Sequence, residues 1–439
     1  MEWLLNWDWF VPLVMLVTFI VLVFMGVPIS FAIGVATLAA GSLMLPTSVT
    51  LTTTGQKIAT GLDSFSLLAI PFFILAGSLM NSGGIAHRLI NFSQILVGRI
   101  PGSMAHVNVM ANMMFGSISG SAVAAAAAVG GTMSPMQKEA GYDPNFSAAV
   151  NVTSCISGLL IPPSNVLIVY ALTAGGISVA TLFMAGYIPG ILMGLSVMLV
   201  AYIIAKRRNY PMAPKPTFRM AVKAFLNALP SLLLVVVVMG GILGGIFTAT
   251  EASAIAVVYT FILSVVIYRE VTLTQLPKII LDAVVTTSIV LFLIGVSVGM
   301  SWAMTNADIP YMINEALISV SDNVIVILLI INVILLIIGV FMDMTPAVLI
   351  FTPIFLPIVK ELGMDPVHFG IMMVFNLCIG LCTPPVGSAL FVGCSVAGVK
   401  LQNLIKPMLP FFAALLVTLF AVSYIPQLSL FLPGLFGML

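Results

Sequence analysis

Charge is scarce in this chain. Asp, Glu, Lys and Arg make up 7% of its 439 residues, against roughly 25% in a soluble domain, while hydrophobic residues reach 61%. That balance excludes a water-soluble globular protein and defines a polytopic membrane protein. The net charge of +1 comes with no basic tract interleaved with aromatics, so nucleic acid is excluded as a partner and membrane lipid is the expected surrounding. Cysteine is scarce too. Cys155, Cys378, Cys382 and Cys394 all lie in apolar runs, Cys378 and Cys382 are spaced too widely for a CxxC pair, and no His stands near enough in sequence to complete a zinc set. They read as small buried residues. Residues 1–10 hold two acids and neither Lys nor Arg, so the charged start of a cleaved signal peptide is missing and the first apolar segment is expected to stay. There is no HExxH, GxSxG or Walker-type lysine, and no pair of acids at helical spacing within an apolar run, which excludes an enzyme.

What the chain does have is one stretch written twice. Gly141-Tyr142-Asp143-Pro144 leads into Gly158-Leu159-Leu160-Ile161-Pro162-Pro163-Ser164-Asn165, and 222 residues later Gly363-Met364-Asp365-Pro366 leads into Gly380-Leu381-Cys382-Thr383-Pro384-Pro385-Val386-Gly387. Pro135 and Pro357 keep the same offset. A Pro-Pro pair in a hydrophobic run breaks a helix at membrane depth, where bare backbone is tolerated only if buried in protein or lining a cavity. Two such breaks at matching places in two halves point to a transporter site built by an internal repeat.

Apolar runs able to span a bilayer, each on the order of 20 residues, lie near 10–27, 29–45, 58–80, 182–205, 225–246, 250–268, 279–304 and 407–430. Residues 104–136 and 324–359 are apolar but interrupted by Gly, Ser, Asp and Pro, and read as re-entrant helical hairpins. Residues 145–178 and 367–398 read as broken helices. The segments His87–Leu96 and Pro310–Leu317 suit either interfacial helices or connecting loops. Lys206, Arg207, Arg208, Lys215, Arg219 and Lys223 share one loop with no acid among them, which the positive-inside rule makes cytoplasmic. Counting spans from that loop puts both termini outside. Of 15 Lys and Arg residues, only Lys57 and Lys360 then fall on the wrong side.

The expected fold is therefore an all-α polytopic membrane protein of two inverted-topology repeats, 1–205 and 225–439, joined by the cytoplasmic loop 206–224. Each repeat carries a re-entrant hairpin and a Pro-Pro-broken helix. The first hairpin would enter from the cytoplasm and the second from outside. Trp3, Trp7, Trp9 and Tyr424 read as interface anchors.

Candidate site residues cluster where hairpin tips would meet breaks. At the first, Gly116, Ser117, Ser119 and Ser121 face Pro162 and Ser164. Small residues let the backbone turn, and hydroxyls with freed carbonyls are hard ligands for a cation, while helix N-termini attract anionic substrate groups. Close helix packing is the competing use of so many small residues. At the second, Gly339, Asp343 and Thr345 face Thr383, Pro384, Val386 and Gly387. Asp343 has apolar runs on both sides. An ionisable residue at that depth is a functional candidate, here for a cation site, with N-capping of the next helix as the structural alternative. Ser119, Ser121, Thr345, Asn151 and Asn376 are the candidates to face substrate. Glu251 stands at a probable-looking helix start in the pattern Thr248-Ala249-Thr250-Glu251, and His106 follows Pro101-Gly102; both read as structural.

The hairpin Gly116-Ser117-Ile118-Ser119-Gly120-Ser121-Ala122, then Pro135, Gly141-Tyr142, Ile161-Pro162-Pro163-Ser164 and Thr383-Pro384-Pro385-Val386-Gly387, resemble the large membrane subunit of TRAP (tripartite ATP-independent periplasmic) transporters. The resemblance covers nearly the whole chain. It implies Na⁺-coupled import of organic acids, of the sialic acid or C4-dicarboxylate type, across the bacterial inner membrane by an elevator motion of hairpins and broken helices. It implies two or more Na⁺ ions, one between each hairpin tip and its break, with substrate between the tips. It also implies two partners, a small four-helix membrane subunit and a periplasmic substrate-binding protein. A self-sufficient divalent-anion/Na⁺ symporter, which shares the hairpin plan and needs no binding protein, is the alternative.

Overall fold

In lipid a backbone amide finds no partner outside its own segment, so a chain of this composition has to be helical. The computed structural model describes residues 9–213, 216–321, 323–384 and 386–439, and every regular element among them is a helix. Trp3, Trp7, Lys215 and Pro385 lie outside the described residues. Eight helical stretches among the described residues are long and apolar enough to cross a membrane.

The first half runs α1 (Phe10–Phe24), α2 (Ile29–Met44), α3 (Thr47–Leu62), α4 (Ala69–Ser82, after a 3₁₀ turn at Phe65–Leu68) and α5 (Ile85–Val97). The hairpin arms α6 (Ser103–Ser119) and α7 (Ala122–Glu139) follow, then α8 (Pro144–Cys155) and α9 (Asn165–Ala174) on either side of the Pro162-Pro163 break, and α10 (Val179–Arg207). The second half runs α11 (Phe218–Leu243), α12 (Ala249–Phe261), α13 (Leu276–Asn306) and α14 (Ile309–Val320). Its hairpin is α15 (Val324–Phe341) and α16 (Met344–Glu361), its broken helix α17 (Pro366–Leu381) and α18 (Ser388–Ala397), and α19 (Leu401–Tyr424) with α20 (Gln427–Leu435) ends the chain. Helices α7 and α16, α8 and α17, and α10 and α19 each start 222 residues apart.

Three expected boundaries change. The run at 58–80 is two elements, α3 and α4, because Asp63 and Ser64 leave helical geometry between them. The loop 206–224 is helical at both ends, since α10 continues through Arg207 and α11 starts at Phe218, so the connection is shorter. The segments before the hairpins are helices, α5 and α14; α5 buries Ile85, Leu89, Ile90 and Val97 along one face.

Each hairpin is pressed onto its broken helix at a glycine pair. A methyl group on Gly116 would stand 2.7 Å from the Gly158 Cα, and one on Gly339 would stand 3.2 Å from the Gly380 Cα. Buried amides reinforce the contact. Asn112 Nδ2 donates to Asn151 Oδ1 at 3.0 Å in the first half. Asn376 Nδ2 donates to Asn332 Oδ1 at 2.9 Å in the second. The two broken helices also touch each other, Cys378 Sγ standing 3.6 Å from the Ile156 carbonyl.

At the foot of the first broken helix the chain is clasped to the connection between halves. Tyr142 and Tyr210 stack with ring centroids 4.2 Å apart, and Arg208 Nη1 donates to Asp143 Oδ2 at 2.9 Å. Burial pushes the Asp143 carboxyl up from its ordinary value of 3.8, but hydrogen bonds from Arg208 and the Asn145 amide outweigh it and hold the group below that value. A depressed carboxylate stabilises the fold above its unfolded value and loses that contribution as pH falls.

Two outcomes follow from this packing. Gly380→Val lowers the apparent melting temperature of the detergent-solubilised chain by at least about 5 °C, as expected for overpacking against backbone, whereas Gly240→Ala, with no atom within 4 Å of the added methyl, does not. Equal melting temperatures would mean that the glycine contact is dispensable. Arg208→Ala destabilises the chain at neutral pH, and the difference from wild type shrinks as pH falls below 3.8; a difference independent of pH would remove the carboxylate from the clasp.

Candidate functional site: a cavity between the hairpin tips

The glycine contacts carry both hairpin tips and both breaks to one place, where a cavity of about 340 Å³ opens. Ser119, Gly120, Ser121 and Ala122 line it from the first tip, and Asp343, Met344 and Thr345 from the second. Leu159 and Asn165 come from the first broken helix, Leu381 and Ser388 from the second. Helices α4 and α13 close the side with Ser78, Asn81, Thr286 and Val290. Ser121 and Asp343 occupy matching positions 222 residues apart, as do Leu159 and Leu381.

Four helices reach this cavity by their N-terminal residues: α7 at Ala122, α16 at Met344, α9 at Asn165 and α18 at Ser388. The first amides of a helix have no intrahelical acceptor, and the dipole makes that end positive. The cavity therefore presents a positive field to an anion with no Lys or Arg in its lining. Among the described residues no three or more His, Cys, Asp or Glu side chains converge. The donors at hand are carbonyl, hydroxyl and Asp343 oxygens, which suit a hard cation.

The sequence candidates divide by place. Ser119, Ser121, Asp343 and Thr345 all line the cavity. Ser121 caps α7, its Oγ accepting from the Ala124 amide at 3.2 Å. Asp343 holds the same N-cap position on α16 and makes no side-chain capping bond, so the capping alternative is not how this carboxylate is used. It is open to the cavity instead.

Gly116, Ser117, Pro162 and Ser164 lie behind the first tip. Ser117 Oγ donates to the Met114 carbonyl at 2.8 Å, and Ser164 Oγ donates to the Leu159 carbonyl. On the other side Gly339 rests on Gly380, Thr383 Oγ1 donates to the Ile379 carbonyl at 2.7 Å, Pro384 is half-buried and Val386 is exposed. Gly387 stands where carbonyls converge. A methyl there would be 2.5 Å from the Leu381 oxygen and 3.0 Å from that of Thr383. None of these residues lines the cavity itself.

Asn151 and Asn376 are not brought to the cavity. Asn151 Nδ2 donates to the Ala126 carbonyl at 3.0 Å, and both Asn amides join broken helix to hairpin arm. Facing the bundle interior at a break was enough to suggest substrate contact, but the interior there is hairpin and not solvent. Conversely Asn165, Ser388, Ser78, Asn81 and Thr286 line the cavity without having been singled out as its ligands. Isolated polar residues within the apolar runs of α4 and α13 were the available signal. Glu251 completes a capping box with Thr248, its Oε2 accepting the Thr248 amide at 2.8 Å. His106 is buried in α6 against the Tyr202 ring.

Residues 16–428 match the family described as "Tripartite ATP-independent periplasmic transporter, DctM component". The chain is 58% identical to the uncharacterized protein YgiK of Salmonella typhimurium, over 99% of this chain and 100% of that one. It is 39% identical to the sialic acid TRAP transporter large permease protein SiaM of Vibrio cholerae, over 94% and 96% respectively. The solved structure of the YdaH transporter of Alcanivorax borkumensis superposes with a TM-score of 0.61 at 14% identity, covering 85% of this chain and 87% of that one, a likeness of fold.

The placement of the amides is open to test. Asn376→Ala lowers thermal stability while leaving the affinity of the cavity for its ligand unchanged, whereas Ser121→Ala weakens ligand binding. A loss of affinity in Asn376→Ala as large as that in Ser121→Ala would put the amide in contact with ligand.

Proposed function

The chain belongs to the DctM component family of tripartite ATP-independent periplasmic transporters, and from that premise we propose that it is the large membrane subunit of a Na⁺-coupled importer of organic acids. It is a multi-pass membrane permease and not an enzyme. The observation that carries the substrate class is the convergence of four helix N-termini on one cavity. Aligned amides and helix dipoles stabilise a carboxylate without a buried cation, and the hydroxyls of Ser119, Ser121 and Thr345 supply directional contacts.

The negative partner of that arrangement is Asp343. A carboxylate beside an anion site is repulsive unless a cation screens it, so a Na⁺ held by Asp343 and the carbonyls near Gly387 would favour acid binding. The first tip and break, around Gly116, Ser117, Pro162 and Ser164, are the place for a second ion. Mutual dependence of the two ligands is what coupling requires. Sodium here is cargo, bound and released with the acid.

In this reading the two halves are inverted repeats about an axis that passes near Ile156 and Cys378. Contact between residues at matching positions supports it, because only positions close to such an axis meet their own counterparts. Both termini face the periplasm and residues 208–217 face the cytoplasm. The hairpins and broken helices move as one body past α4 and α13, an elevator motion. A periplasmic binding protein delivers sialic acid, a C4-dicarboxylate or a similar acid, and a small four-helix subunit completes the assembly.

Radiolabelled acid uptake into proteoliposomes tests this, with and without a Na⁺ gradient and the binding protein. The expectation is uptake that needs both and falls at least about tenfold in Asp343→Ala, the scale of a lost charge-assisted contact. Uptake without the binding protein would favour the self-sufficient symporter. Uptake indifferent to Na⁺ would overturn the ion sites.

A further inference from the structure

A second cavity, of about 520 Å³, adjoins the first and shares Val169 with it. The same two helices line both. Helix α9 gives Asn165 and Val166 to the inner cavity and Leu172 and Thr173 to the other. Helix α13 gives Thr286 and Val290 to the inner cavity and Ser297, Ser301 and Thr305 to the other. Steps of three and four residues keep these side chains on one helix face, so the two cavities lie along a common path. In the topology proposed above, the Asn306 end of α13 and the Ala174 end of α9 point to the periplasm. The second cavity is then an outer vestibule, with Val169 at the neck.

Two of its groups have no partner. Lys57 is the one charged residue in the lining and, among the described residues, it forms no ion pair. Its helix is held firmly. A methyl on Gly61 would stand 2.8 Å from Val298, and one on Gly295 would stand 3.0 Å from Ile58, so α3 and α13 are in close contact on either side of the lysine. Ser297 also lines the vestibule. Its residue is 3% exposed and its Oγ has no hydrogen-bond partner. A buried hydroxyl left unpaired is costly, and one on a cavity wall is satisfied by whatever polar group enters.

We infer that the outer vestibule is a second anion subsite, in which Lys57 Nζ and Ser297 Oγ receive the carboxylate of an incoming organic acid before it passes Val169 to the inner cavity. The inference rests on the importer reading. It gives Lys57, a cation on the side of the membrane where the charge rule does not expect one, a reason to be there. A positive group at the mouth raises local anion concentration, and the helix N-termini further in hold the acid without competing for that lysine.

Trp302 lines the same vestibule and serves as a built-in reporter. The chain in nanodiscs is titrated with N-acetylneuraminate and with succinate, against chloride and mannitol, and tryptophan emission is followed. Parallel proteoliposomes of the same preparation, with the partner proteins, measure uptake of both acids. The expected result is a saturable response to an acid, lost in Trp302→Phe, with apparent Kd weakened about fivefold in Lys57→Gln and in Ser297→Ala and kept in Lys57→Arg. An unchanged Kd in Lys57→Gln overturns the subsite, as does equal weakening in Lys57→Arg or a response matched by chloride or mannitol. Uptake of either acid with no saturable Trp302 response overturns the subsite and leaves the importer standing. A response with no uptake overturns the importer reading, and neither response nor uptake overturns both.

Discussion

Two glycine-to-glycine contacts hold the centre of this molecule together. A helix interrupted at membrane depth leaves amides and carbonyls that lipid cannot satisfy, so each break must be covered by protein at backbone distance. Gly116 against Gly158 and Gly339 against Gly380 allow that approach, because any side chain at these positions would meet main chain. Once each hairpin is seated on its broken helix, the tips and breaks converge without further instruction. The cavity, its four helix N-termini and the placement of Asp343 are consequences of that seating.

The two halves solve the same problem with different local lengths. The first tip has one residue more than the second between its glycine and its N-cap, with Gly120 in the left-handed region, and the first break has one fewer between Gly158 and Ser164 than the second has between Gly380 and Gly387. The insertions offset each other, so α10 and α19 return to the common spacing of 222. The chemistry differs as well. The N-cap facing the cavity is Ser121 in one half and Asp343 in the other. A symmetric scaffold thus presents an asymmetric pair of groups, a neutral hydroxyl bound to its own helix and a carboxylate left free.

Much of this was legible beforehand. The duplicated Pro-Pro motif located both breaks, and the polar tips within apolar hairpins located Ser119, Ser121, Asp343 and Thr345, all of which line the cavity. Motifs of this kind are readable because proline and glycine act on the backbone within a few residues. Asn151 and Asn376 show the limit. A buried amide in a membrane helix looks the same in sequence whether it faces a ligand or a neighbouring arm, and here both face an arm. The division of 58–80 into α3 and α4 was hidden for a related reason, since Asp63 and Ser64 interrupt a run whose average hydropathy stays high.

Composition and the 222-residue recurrence alone determined that this chain crosses a membrane many times, that it breaks its helices at two matching places, and which small and polar residues surround those breaks. These are local or periodic properties, carried by hydropathy and backbone preference. Tertiary structure decided which polar groups share a cavity, that α4 and α13 contribute Ser78, Asn81 and Thr286 to it, and that Lys57 and Ser297 line a second cavity beside the first. Those residues lie up to about 240 positions apart along the chain. Only packing, in which one helix face chooses another by the fit of glycines and side chains, brings them within reach of one ligand.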